Sequence, residues 1–173
     1  MASDTNEEHF LDTLYKDLAL ALGNAVWAFA RIEWLTYESL KRLSRDHLEE
    51  LVGDLNFRPR TAIIRRLVER HESASTAKTR ALEAIRTVDD LSVKRNVIVH
   101  NPWRIWIDLK AEDFMTEIQK YAQPNKKVDL EELRSFTEAC EKAEIELREA
   151  LRELEPMVPG ATHIPFKHSK GPG

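Results

Sequence analysis

The sequence predicts an all-α antiparallel bundle of four to five helices, with room for a small β-hairpin after the helix that carries its one chemical motif. Three observations predict it. Apolar residues recur at three-to-four spacing over long stretches, the signature of amphipathic helices. Gly and Pro are scarce, at 5 and 7 residues, and neither occurs between Pro59 and Pro102. With 42% hydrophobic residues in 173, the chain can bury a self-sufficient core, so residues 1–155 are read as one bundle domain.

The first helical region places Phe10, Leu14, Leu18, Ala21, Ala25, Phe29, Ile32, Leu35, Leu40 and Leu43 on one face. Asp4 or Thr5, with Glu7 or Glu8 three residues on, marks its start as a capping box. A break or kink is expected near Gly23-Asn24, because a single helix of that length is unusual in a small domain. Residues 44–60 are a connection with one irregular turn around Leu48 to Val52. Thr61 to His71 forms a short helix with Ile63, Ile64, Leu67 and Val68 inward. Ser75 or Thr76 caps the next, which carries Leu82, Ile85, Val88 and Leu91 to about His100, where Pro102 ends it.

The stretch WRIWIDL, residues 103–109, is rich in β-branched and aromatic residues and is a strand candidate. Its partner is near Met115 to Tyr121, with a short helix over 112–121 as the alternative. The last helix opens on Asp129 with Glu132 as reciprocal partner and repeats Leu133, Phe136, Cys140, Ala143, Leu147, Ala150 and Leu154 on an apolar seam. Most of the chain's Gly and Pro fall in residues 156–173, read as a flexible tail.

Composition excludes collagen-like, mucin-like and wholly disordered classes, and a single Cys excludes a disulfide scaffold. The acidic N-terminus does not resemble a secretory signal, and the apolar run from Leu18 to Ala30 is shorter than a membrane span of about 20 residues. A soluble cytoplasmic protein with no membrane partner is expected. The six His show no HExxH or CxxC spacing, so no metal and no cofactor is predicted. His163 and His168 in the tail are scattered. GxGxxG, GxxxxGK[ST] and GxSxG are all missing, which removes the usual nucleotide-dependent and acyl-transfer chemistries.

What remains is KRNVIVHNPW, residues 94–103, in which Arg95, Asn96 and His100 spell Arg-Asn-x-x-x-His at a helix end. Asn96 and His100 are four apart and share a face, whereas Arg95 is about 140° around the axis from His100 and reaches the same cleft only through its long side chain. A histidine that exchanges a proton near neutral pH, beside a permanent guanidinium that forks onto phosphate, suits phosphodiester cleavage. Simpler roles compete: Arg95 paired with Asp89 or Asp90, His100 as a helix C-cap, and Asn101-Pro102 as an ordinary stop.

The motif and the layout of long helices around it, roughly residues 5–155, resemble the HEPN superfamily of α-helical ribonucleases and toxins. The resemblance implies a metal-independent endoribonuclease in which the RNA 2'-hydroxyl attacks the adjacent phosphorus. In that reading His100 is general acid or base, Arg95 stabilises charge on the phosphorane-like transition state, and Asn96 orients His100 or the phosphate. It further implies RNA as substrate, a homodimer with two motifs across one cleft, and a toxin role with an antitoxin such as a nucleotidyltransferase-like protein. The alternative is a non-catalytic HEPN-like dimerisation or binding module, or a helical adaptor outside the family.

Supporting candidates are Glu33, facing the motif from a neighbouring helix or acting as a salt-bridge partner; Lys94, adding charge beside it; and Trp103, stacking on a base or packing on the bundle. Trp27 and Trp34, seven apart on one face, are core or dimer-seam residues. The net charge of -4 conceals a basic stretch: residues 58–104 hold 11 Lys and Arg against 5 Asp and Glu, and this segment contains the motif.

Overall fold

The computed structural model describes residues 4–44, 48–108, 113–120 and 123–154. Its elements are α1 (Asp4–Leu43), the single turn α2 (Leu48–Leu51), α3 (Phe57–Arg70), α4 (Ser75–His100), β1 (Trp103–Asp108), β2 (Asp113–Lys120), β3 (Gln123–Asp129) and α5 (Leu130–Arg152). The four long helices pack around one core, with α5 against α1 and α4, and α3 closing the opposite side. Ion pairs fix the directions: Arg80 of α4 meets Glu149 of α5 while Lys94 meets Glu132, so those two helices are antiparallel.

α1 is a single helix of 40 residues, not two pieces broken at Gly23-Asn24. Glycine costs about 1 kcal/mol in a helix interior, a small term beside the burial of Ala21, Ala25, Ala28, Phe29 and Ile32 on the inner face. Gly23 lies on the outer face, where a Cβ would meet nothing within 4 Å. The same outer face carries Trp27 and Trp34, exposed at 69% and 62%, so neither is a core residue. Over Asp12–Leu43 the helix is long and apolar enough to cross a membrane by length and composition, while its inner face forms part of the bundle core.

α3 begins at Phe57, four residues before the expected Thr61, and accommodates Pro59 in its first turn, where a missing N–H removes no helical bond. Neither Ser75 nor Thr76 caps α4: Ala74 holds the N-cap position and its carbonyl accepts from the Lys78 N–H at 3.2 Å. α4 ends at His100, and Asn101 is extended at φ -122° and ψ 148° ahead of Pro102, as the proline demands. α5 opens on a complete capping box, with Asp129 Oδ1 accepting from the Glu132 N–H at 2.7 Å and Glu132 Oε2 accepting from the Asp129 N–H at 3.2 Å. Its seven predicted seam residues are all buried.

The connection from α4 to α5 is an antiparallel meander in the order β1-β2-β3. Trp103 pairs with Ile118, and Ile118 pairs with Val128. Residues 113–120 form a strand and not the alternative helix. The third strand, over QPNKKVD, has little β propensity; its pairing with β2 and the burial of Ile118 and Val128 under the helices hold it in place. Residues 156–173 and the side chains of Asp4, Thr5, Glu7, Glu8 and Trp106 lie outside what is described, so the predicted tail and N-terminal capping box do too.

A candidate RNA site at the end of the motif helix

The floor of the site is aromatic. Phe29 of α1 is buried between Phe57 at the start of α3, with ring centroids 5.0 Å apart, and Phe136 of α5, at 6.4 Å. The Arg95 guanidinium lies 5.8 Å from the Phe29 centroid. One turn further along α1, Glu33 Oε1 stands 3.9 Å from Arg95 Nη2. Phe29 and Glu33 are four apart on one helix, so a single face of α1 supplies both the surface and the counter-charge for Arg95.

Arg95 Nη1 also donates to Asn96 Oδ1 at 3.3 Å. Its side chain keeps about a quarter of its surface exposed, 26%. Asn96 and His100 are both exposed, one turn apart on the same side of α4. Among the described residues the His100 ring has no hydrogen bond or ion pair. The helix C-terminus is instead capped by Asn101, whose Nδ2 donates to the Val97 carbonyl at 2.8 Å. The simple capping role for His100 therefore falls to its neighbour.

The pairing of Arg95 with Asp89 or Asp90 does not occur. Asp89 is taken by α3, accepting from Thr61 Oγ1 at 2.6 Å and from Arg65 Nη2 at 2.8 Å. The structure thus brings Arg95, Asn96 and Glu33 together and leaves His100 one turn beyond them. Lys94 turns the other way, 3.8 Å from Glu132 at the start of α5. Trp103 is partly buried and packs against the core, its indole N–H enclosed with no acceptor among the described residues.

Part of the positive charge of residues 58–104 is committed to partners within the chain. Arg60 donates to Tyr37, Thr36 and the Leu55 carbonyl, Arg65 pairs with Asp89, and Arg80 with three glutamates. Arg58, Arg66, Arg70 and Arg86 are exposed on α3 and α4 and make no ion pair with another described residue. Among the described residues of this segment, these four, with Lys78 and Arg95, hold positive charge that no close carboxylate neutralises. Among the described residues no group of three or more His, Cys, Asp and Glu side chains converges as a metal site requires. Sequence reasoning missed Phe29 as the platform under Arg95; its four-residue spacing from Glu33 was the available signal.

Compared with known proteins, the chain matches no family model, no curated protein and no solved structure.

Proposed function

We propose that this protein is a metal-independent endoribonuclease of HEPN type, acting at Arg95, Asn96 and His100. The observation that carries the reading is the state of Arg95: a partly exposed guanidinium on an aromatic platform, restrained by one carboxylate at 3.9 Å, beside a histidine that no described residue engages. A phosphate competes readily for such a guanidinium, since it offers a fork where Glu33 offers one distant oxygen.

The RNA 2'-oxygen attacks the adjacent phosphorus and the bond to the 5'-oxygen of the next nucleotide breaks, leaving a 2',3'-cyclic phosphate and a 5'-hydroxyl. His100 exchanges a proton with an attacking or leaving oxygen, and Arg95 stabilises the negative charge that builds on phosphorus-bound oxygens. Asn96, hydrogen-bonded to Arg95 and on the face of His100, aligns the two groups about one phosphate. One histidine serves one proton transfer, so a second copy of the chain supplies the other. The toxin role and a nucleotidyltransferase-like antitoxin belong to the same reading and rest on the resemblance of the motif.

A second reading takes Arg95 as a strut of α1 against α4, held by Glu33, in a non-catalytic dimerisation or binding module. Incubation of purified protein with RNA in EDTA separates them. The first reading expects cyclic-phosphate ends from wild type and none from His100→Ala. Intact RNA with wild type, or cleavage unchanged in His100→Ala, overturns it.

A further inference from the structure

The two sides of the bundle carry opposite charge. α3 has five Arg against one acid, Glu69, and α4 has five Lys and Arg against three acids, so ten bases less four acids give the pair +6. α1 and α5 each have four Lys and Arg against seven Asp and Glu, so eight bases less fourteen acids give that pair -6. α3 and α4 pack side by side, as do α1 and α5, and the fold therefore sets a basic flank against an acidic one.

The seam of the basic flank starts at the motif. Thr61 and Arg65 reach Asp89 at 2.6 and 2.8 Å, and Lys78 Nζ donates to the Glu69 carbonyl at 3.3 Å, so α3 and α4 are antiparallel. With Thr61 level with Asp89, Arg58 stands beside Ser92, one turn before Asn96. Cations then recur along the seam. Measured down the axis from His100, Arg58 is about 12 Å away, Arg86 about 21 Å with Arg65 near its level, and Lys78 about 33 Å. Arg58 and Arg86 are exposed and pair with no described residue, while Arg65 shares Asp89 with Thr61 and keeps 41% of its side chain exposed. These four cations face three acids, Glu69, Asp89 and Asp90, and Arg66 and Arg70 add two exposed charges on α3.

We propose that the seam between α3 and α4 is a track for single-stranded RNA, which leaves the motif over Arg58 and passes Arg86 and Arg65 toward Lys78. The proposal rests on the ribonuclease reading and deepens it: the cleaved phosphate lies at Arg95, Asn96 and His100, and the seam holds the rest of the strand. One line of cations, at steps of about 9–12 Å along the helix axis, matches one phosphate backbone. An acidic protein partner fits less well, because a protein interface buries an apolar centre. Among the described residues α3 exposes no large apolar side chain, whereas Leu20, Trp27, Trp34 and Ile145 are exposed on the acidic pair α1 and α5.

Fluorescence anisotropy of a labelled oligouridylate of about 12 nucleotides tests the track, with full-length His100→Ala as the background so that the strand stays intact. Arg58→Gln and Arg86→Gln each weaken binding ~3–10-fold and lower the slope of log K against log salt by about 0.7, whereas Arg134→Gln on α5 changes neither. In the chain that keeps His100, the same two substitutions raise KM for the oligomer with little change in kcat, and they leave a dinucleotide substrate unaffected because it does not reach the seam. Circular dichroism checks that the helices are kept. No binding at low salt, binding indifferent to Arg58→Gln and Arg86→Gln, or equal weakening by Arg134→Gln overturns the track. So does poly-glutamate of equal charge that displaces the label as well as unlabelled RNA does, which makes the face a seat for an acidic protein. Binding with the expected pattern but no cleavage by wild type upholds the track and sinks the ribonuclease reading alone. Cleavage lost in His100→Ala but untouched by the seam variants does the reverse.

Discussion

Two arginines on α4, Arg80 and Arg95, receive opposite treatment from the fold. Arg80, at the surface, is paired with three carboxylates of α5: Glu146 at 2.7 Å, Glu149 at 3.1 Å, and Glu153. The hydrogen bond to Glu146 leads in raising the Arg80 pKa above its usual value, and the same contact holds the Glu146 carboxyl below the ordinary carboxylate range. A guanidinium has five N–H donors, and those of Arg80 are spread over three acids. Arg95 meets one acid at 3.9 Å and one side-chain amide at 3.3 Å, and it rests on a ring. The first pairs two helices; the second is tethered while donors remain to be claimed. Basic charge in a sequence is therefore no measure of cationic surface, because acids on a neighbouring helix decide which arginines stay available.

Exchanging the two roles gives the largest expected effects. Arg95→Ala lowers RNA cleavage by about 10²–10³-fold, the scale for losing one transition-state donor, with little change in the thermal midpoint; Arg95→Lys restores charge but not the fork and recovers only part of the rate. A large fall in stability with Arg95→Ala would place Arg95 in the structural class with Arg80. The buried Glu144, which accepts from both Arg31 and Arg148, marks the structural extreme of the comparison. Glu144→Ala strands two arginines at the α1–α5 contact and costs about 3 kcal/mol in urea unfolding, with cleavage per folded molecule unchanged.

Smaller effects sharpen the contrast. Glu33→Gln removes the acid that competes for Arg95, so RNA binding tightens by a few fold in filter binding at low salt and the gain fades as salt rises; weaker binding would mean that Glu33 orients Arg95 instead. Arg80→Ala leaves cleavage intact and changes the acid limb of stability. Because the folded Glu146 pKa is lowered, its contribution is full above the unfolded value of about 4.3 and is lost as pH falls below it. The wild type therefore loses stability on acidification through that range more steeply than Arg80→Ala does. Last, burial, reinforced by the charge of Glu141, pushes the Cys140 thiol up to about 12. Cys140 in the folded protein resists thiol reagents at pH 8 and reacts once urea unfolds the bundle.

Local chemistry was legible wherever a residue acts within its own turn of chain. Asp129 and Glu132 announce a helix start because each reaches the other's backbone, and Pro102 announces a stop because it constrains the residue before it. The motif spacing likewise placed Asn96 and His100 on one face. What stayed open depended on distant partners: Asp89, Asp90 and Glu33 were all candidates near Arg95, and α3 claims Asp89 while Glu33 meets Arg95. The start of α3 lay inside the connection expected over 44–60, because Pro59 fits a first helical turn.

By itself the sequence determined where helical regions lie, the seam of α5, the end of α4 and the Arg-Asn-x-x-x-His spacing, because capping, periodicity and proline geometry act over a few residues. Only the tertiary structure decided that α1 stays whole through Gly23, that Trp27 and Trp34 face outward, and that Arg95 meets one distant carboxylate beside Phe29 while Arg80 is paired with three. The physical reason is the same in each case: periodicity reveals that a helix has an apolar face, but burial and ion pairing are settled by which other helix arrives to cover it.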